Sequence, residues 1–99
     1  MRYTFEWDPV KAKENLHKHG TSFEHAAELF LDPFAVSIFD EEHSEAEERW
    51  VTIGRDSQGR IVVLVHTFSE VSAQEWKVRI ISARRATKRE ARQYEDIRR

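Results

Sequence analysis

The run Ile61-Val62-Val63-Leu64-Val65-His66-Thr67-Phe68 is apolar almost throughout, and it constrains the fold more than any other stretch of the chain. A strand that faces water on one side alternates apolar and polar residues; one without alternation is covered on both faces. Ile61–Phe68 is therefore expected at the centre of a sheet. The turn signal Asp56-Ser57-Gln58-Gly59 joins it to an earlier strand, Trp50–Gly54. The segment Ser69–Glu75 reads as a loop leading to a last strand, Trp76–Ser82. Two hairpin connections imply antiparallel pairing.

Flanking signals supply the remaining layers. Tyr3–Trp7 alternates and reads as a short strand. Asp8 is placed to cap a helix with Pro9 in its first turn, and Gly20 to end it. The apolar stripe of that helix runs through Ala12, Leu16 and His19. Thr21 with Glu24 forms a capping box for a second helix, whose stripe is Phe23, Ala26, Ala27 and Phe30. Asp32-Pro33 ends it. Phe34–Phe39 reads as a strand, and Asp40–Glu48 as a solvated acidic loop. Thr87 with Glu90 opens a final helix to the C-terminus, with a thin stripe of Ala91, Tyr94 and Ile97. The order β-α-α-β-β-β-β-α predicts an α+β fold: a small antiparallel sheet with two N-terminal helices and one C-terminal helix. The 99 residues suit a single domain, residues 1–99, with one modest core.

The net charge of −2 hides a strong asymmetry. Residues 1–48 hold 4 Lys/Arg and 12 Asp/Glu, a net of −8, whereas residues 49–99 hold 12 and 6, a net of +6. One face suited to a polyanion beside an acidic face explains this as well as two solvated faces that neutralise each other. The chain has no cysteine, hence neither disulfides nor thiol chemistry. No apolar run approaches the roughly 18 residues of a membrane helix. The N-terminus lacks the apolar core of a signal peptide, so the expected compartment is the cytoplasm. His17 and His19 diverge around a helix, no metal-ligand spacing occurs, and no Gly-rich phosphate loop is present. Neither a metal nor another cofactor is expected.

The segment Arg79-Ile80-Ile81-Ser82-Ala83-Arg84-Arg85 places guanidiniums inside and just after a strand. Arginine is costly to bury, and its planar fork suits phosphate. Arg79 is expected to share a strand face with Lys77 and Ile81, opposite Val78 and Ile80. A cross-strand ion pair explains Arg79 equally well, and a structural pair with Glu90 or Glu95 explains Arg84 or Arg85. His19 ends the first helix, where an imidazole serves as general acid or base or simply complements the helix dipole. Lys18 is a candidate phosphate contact or an ordinary solvated lysine. Arg60 is read as a peripheral substrate contact and His66 as core. Arginines beside an imidazole suffice for RNA cleavage, because RNA carries its own 2′-hydroxyl nucleophile.

Several landmarks occur together: Phe5-Glu6-Trp7-Asp8-Pro9, Lys18-His19-Gly20 followed by Ser22-Phe23-Glu24, Asp32-Pro33, Gly54-Arg55, Gly59-Arg60, and the arginine strand with Glu90 and Tyr94. In this order, across nearly the whole chain, they resemble the BrnT family, the toxin half of BrnT–BrnA type II toxin–antitoxin pairs. The resemblance implies a RelE-like α+β fold and a metal-independent ribonuclease that arrests growth. It also implies a ribbon-helix-helix, BrnA-like antitoxin, with promoter DNA bound only through the toxin–antitoxin complex. On that reading His19, Arg79 and Arg84 are catalytic, and Lys18, Arg60 and Arg85 bind RNA. Two readings from other classes stand beside it: a non-catalytic nucleic-acid-binding module, and an interaction module that tunes a DNA-binding antitoxin.

Overall fold

A computed structural model describes residues 2–97. The elements are β1 (Arg2–Glu6), α1 (Pro9–His19), α2 (Phe23–Ala27) continued by a 3₁₀ turn (Glu28–Leu31), and β2 (Val36–Phe39). A 3₁₀ turn at Glu41–His43, β3 (Trp50–Arg55), β4 (Ile61–Ser72), β5 (Glu75–Arg85) and α3 (Lys88–Ile97) follow. The strands form one sheet in the order β1-β5-β4-β3-β2, with the apolar β4 at its centre. The α+β class and the element order are as the sequence indicates.

One feature of the expected sheet needs correcting. β2, β3, β4 and β5 are antiparallel neighbours, but β1 runs parallel to β5, so the sheet is mixed. A strand at the start of the chain carries no hairpin signal to fix its direction. Segment 69–75 is also no open loop. β4 and β5 extend through it and meet in a hairpin where Ser72 faces Glu75. Arg84 and Arg85, expected just beyond the last strand, lie within β5. The turn at Asp56–Gly59 joins β3 to β4 as expected, with Gly59 at φ 80°.

Helix boundaries follow their local chemistry. Asp8 caps α1, its side chain accepting from the amides of Val10 and Lys11, and Gly20 ends it at φ 67°. The cap of α2 is Ser22 rather than Thr21: Ser22 accepts from the His25 amide at 3.1 Å, and Thr21 is buried. The expected stripe of α1 is also displaced. Leu16 and His19 are exposed, Ala12 is half-buried, and the buried residue is Asn15. The capping box of α3 is present, with the Glu90 amide donating to Thr87 Oγ1 at 3.2 Å and the Thr87 amide to Glu90 at 2.9 Å.

The core lies between one sheet face and α2. Val62, Leu64, Val78, Ile80 and Ala83 pack on Phe23, Ala26 and Leu29, all 3% exposed or less. Phe30 extends this layer, its ring 5.1 Å from Tyr3, 5.5 Å from Phe5 and 5.3 Å from His66. The second sheet face carries the alternate residues. α3 is tied to it through the ion pairs Arg84–Glu90 and Arg55–Glu95, and Tyr94 is buried.

Candidate functional site

A break in strand periodicity assembles the arginine face. Ile80 pairs with His66 and Ser82 with Val65, so Ile81 is an extra residue in β5. Alternation restarts after it. Arg79 faces Thr67, Ser82 faces Val65 and Arg84 faces Val63, and those three β4 residues share one side of the strand. Arg79, Ser82 and Arg84 therefore share the sheet face opposite the main core. Ile81, expected on the Arg79 face, is instead the bulged residue.

The end of α1 comes up beside this strand. Lys18 and His19, in its last turn, line a shallow cleft with Ile81 and Ser82. Gly20 holds the turn closed, its amide donating to the Leu16 carbonyl at 2.8 Å. Three basic residues, His17, Lys18 and His19, oppose the negative end of the helix dipole there. Ser82 thus belongs to both surfaces, the cleft of Lys18 and His19 and the face of Arg79 and Arg84.

Each arginine of the face already holds a carboxylate. Glu90 grips Arg84 with both oxygens, at 2.7 and 2.9 Å, and Arg84 Nη1 also donates to the Arg85 carbonyl at 3.3 Å. That uses three of the five N–H donors of a guanidinium. The Nε hydrogen and one Nη2 hydrogen of Arg84 have no partner among the described residues. Those two donors form a fork able to take a phosphate. Arg79 is paired with Glu47, which comes from the acidic segment before β3 rather than from a neighbouring strand. Lys77 pairs across to Glu6 at 3.7 Å.

The other expected contacts lie elsewhere. Arg60 donates through Nε to Asp56 at 2.9 Å, and the Asp56 side chain is 1% exposed. Burial pushes the Asp56 carboxyl up, but hydrogen bonds from Arg60 and Gln58 outweigh it and hold it low. Arg60 thereby braces the β3–β4 turn. Arg85 faces Val62, a residue of the opposite side of the sheet, and is exposed. Lys18 and His19 meet Ser82 at the cleft, Arg79 and Arg84 share the sheet face of Ser82, and Arg60 at the β3–β4 turn and Arg85 on the opposite face lie apart from both.

Sequence reasoning anticipated Glu90 as a partner of Arg84 or Arg85 but passed over Asn15, Ser82 and Glu47 as site neighbours. Asn15 had a signal, since asparagine is a poor residue for a helix interior and needs a reason to be there. Its reason is the edge of β5. β1 pairs only with Glu75–Arg79, so β5 has no strand neighbour on that side beyond Arg79. Asn15 fills the gap, accepting from the Ala83 amide at 3.1 Å and donating to the Ala83 carbonyl at 2.8 Å.

His66, expected in the core, is fully buried there. Its Nε2 meets Thr52 Oγ1 at 2.6 Å, and Thr52 meets Ser37 at 2.7 Å. Burial lowers the His66 pKa to about 4, only partly opposed by the Thr67 carbonyl. The unfolded chain binds this proton more readily than the folded one. Stability contributed by neutral His66 is thus complete above the ordinary pKa near 6.5 and is lost as pH falls from there towards 4. The expected loss is up to about 3 kcal/mol. Glu90, held at about 2 chiefly by the Arg84 hydrogen bond, adds a second loss below its ordinary value of 4.5. Urea denaturation between pH 7 and pH 3 tests both. His66→Leu is expected to flatten the upper part of the curve and leave the lower slope. An unchanged upper slope would assign it to another group.

The mixed sheet, the flanking helices and the arginine strand beside the end of α1 define a small α+β protein with an arginine-bearing sheet face. Comparison with known proteins gives the family. The family described as "Ribonuclease toxin, BrnT, of type II toxin-antitoxin system" matches residues 7–90. Among solved structures, the chain is similar to the crystal structure of the Brucella abortus ribonuclease toxin, BrnT. Identity is 26% and the TM-score 0.57, with 89% of this chain and 99% of that chain covered. Among curated proteins no sequence matches. The chain belongs to the BrnT family of ribonuclease toxins. It is the toxin of a type II toxin–antitoxin pair, with RNA as its substrate and an antitoxin as its partner. Among the described residues no helix is long and apolar enough to cross a membrane.

Proposed function

We propose that residues 1–99 act as one toxin domain that cleaves RNA in the cytoplasm without a metal, with the reaction centred where the α1 terminus meets the arginine face of β5. The 2′-hydroxyl loses a proton and attacks the adjacent phosphorus. The 5′-oxygen leaves as it gains a proton, giving a 2′,3′-cyclic phosphate and a 5′-hydroxyl. His19 carries one of these proton transfers, a contribution of about 10²–10⁴-fold. Arg84, through its free fork, and Arg79 stabilise the charge that builds on phosphorus. Lys18 holds a flanking phosphate, and Arg60 and Arg85 contact the RNA further out. The observation that carries this reading is the position of Ser82, which lines the Lys18–His19 cleft and shares the face of Arg79 and Arg84.

The partner is proposed to be a ribbon-helix-helix antitoxin of the BrnA kind. It covers the Arg79–Arg85 region with carboxylates that replace RNA phosphates, and promoter DNA is bound only through the complex. Two experiments test the proposal. Expression of the chain alone is expected to arrest bacterial growth, and the purified protein to degrade RNA in excess EDTA. Cleavage lost on chelation would remove the metal-free mechanism, and normal growth with abundant folded protein would favour a binding module. Added antitoxin is expected to shield Arg84 and Arg85 from a guanidinium-modifying reagent. Full reactivity of both in the complex would place the antitoxin on another surface.

A further inference from the structure

We infer that Asn15 is a positioning residue, whose buried carboxamide fixes the end of α1 carrying Lys18 and His19 against the arginine strand β5. The inference rests on the site reading above and adds a residue to it. Asn15 is 7% exposed and is the buried residue of α1. Its oxygen accepts from the Ala83 amide at 3.1 Å; its two N–H groups donate to the carbonyls of Ala83 at 2.8 Å and Thr21 at 3.0 Å. Among the described residues, no other side-chain hydrogen bond joins α1 to β5.

The positions of these partners give the clasp its meaning. Ala83 lies between Ser82 of the cleft and Arg84 of the phosphate face. Asn15 lies one helical turn before His19, on the same side of α1. Thr21 follows the Gly20 reversal, so the third bond also fixes how the chain leaves the helix. An apolar side chain at position 15 would attach the helix by contacts that tolerate sliding, because hydrophobic attraction is non-directional. Three hydrogen bonds allow one orientation. A displacement of about 1 Å between reacting groups can cost about 10²-fold in rate. The asparagine therefore sets the placement of the imidazole relative to Arg84.

Steady-state cleavage of a short RNA tests this with Asn15→Leu, Asn15→Asp, His19→Ala and Leu29→Val, under conditions where each is folded by circular dichroism. Asn15→Leu removes all three bonds, and its kcat is expected to fall by about 10–100-fold with KM within about twofold, since the phosphate-binding side chains remain. Asn15→Asp keeps the acceptor for the Ala83 amide but sets a carboxylate oxygen against the carbonyls of Ala83 and Thr21, and its kcat is expected to fall at least as far. Leu29→Val weakens the core away from the clasp and is expected to leave kcat unchanged. Wild-type kcat in the folded Asn15 variants, or an equal fall in Leu29→Val, would overturn the inference. Should Asn15→Leu fail to fold, Asn15→Asp decides on the same criterion. Unchanged kcat in His19→Ala would strike the site reading itself; a fall in His19→Ala beside wild-type rates in the Asn15 variants would strike only the clasp.

Discussion

Alanine at His19 is expected to lower RNA cleavage by about 10²–10⁴-fold while costing no more than about 1 kcal/mol of stability. The side chain is exposed at the last turn of α1 and has no core contact to lose. Complementing the helix dipole is the one structural service the position offers. A stability loss above about 2 kcal/mol with specific activity intact would make it a structural residue. The arginine arm needs a more careful variant, because Arg84→Ala alone strands Glu90. The double variant Arg84→Ala with Glu90→Gln removes the ion pair as a unit. Loss of one preorganised donor group in such a site costs about 10²–10³-fold in kcat. If gripping Glu90 were the whole task of Arg84, the double variant would cleave at the wild-type rate.

Asp32→Ala is expected to destabilise the protein by about 2–4 kcal/mol, because it leaves several donors without their shared acceptor. Asp32 Oδ2 accepts from the Tyr94 hydroxyl and from the Arg55 amide at 2.8 Å, and Oδ1 accepts from the Phe34 amide at 2.9 Å. Burial raises its pKa, but these hydrogen bonds outweigh that and hold the carboxyl below its ordinary value. One carboxylate thus joins the end of the α2 layer to β3 and α3. Tyr94→Phe removes the hydroxyl that donates to Asp32 while leaving the other donors their acceptor, and is expected to cost less than half as much. Chemical denaturation decides between these values, and a loss under about 1 kcal/mol for Asp32→Ala would show that water replaces the carboxylate.

The fold was legible where chemistry is local and periodic. Ile61–Phe68 announces a central strand by its lack of alternation, and Asp8-Pro9, Gly20 and the Thr87–Glu90 pair mark helix ends through hydrogen bonds only a few residues long. The misreadings concern choices that local pattern does not decide. Thr21 and Ser22 are adjacent hydroxyls, and tertiary packing buries Thr21 so that Ser22 caps. The extra residue at Ile81 reverses strand alternation without changing composition. The direction of β1 depends on a partner at the far end of the chain. Of the candidate site, the sequence offers residue types, His19 with Arg79 and Arg84, but not their arrangement. Ser82 joins the two surfaces only through the bulge, and Arg60 is drawn to a turn aspartate four residues before it in sequence.

The parallel pairing of β1 with β5 also governs when the molecule can become whole. Arg2 lies against Glu75, partners 73 residues apart, and the strand they stabilise is the one that carries the arginine face. Contacts that close so long a loop must meet the entropy cost before any pairing energy returns, which slows folding. The sheet cannot close while β5 is still unmade. Synthesis runs from β1 towards β5, so the strand that carries Arg79 and Arg84 can join its parallel neighbour only after most of the chain has been made.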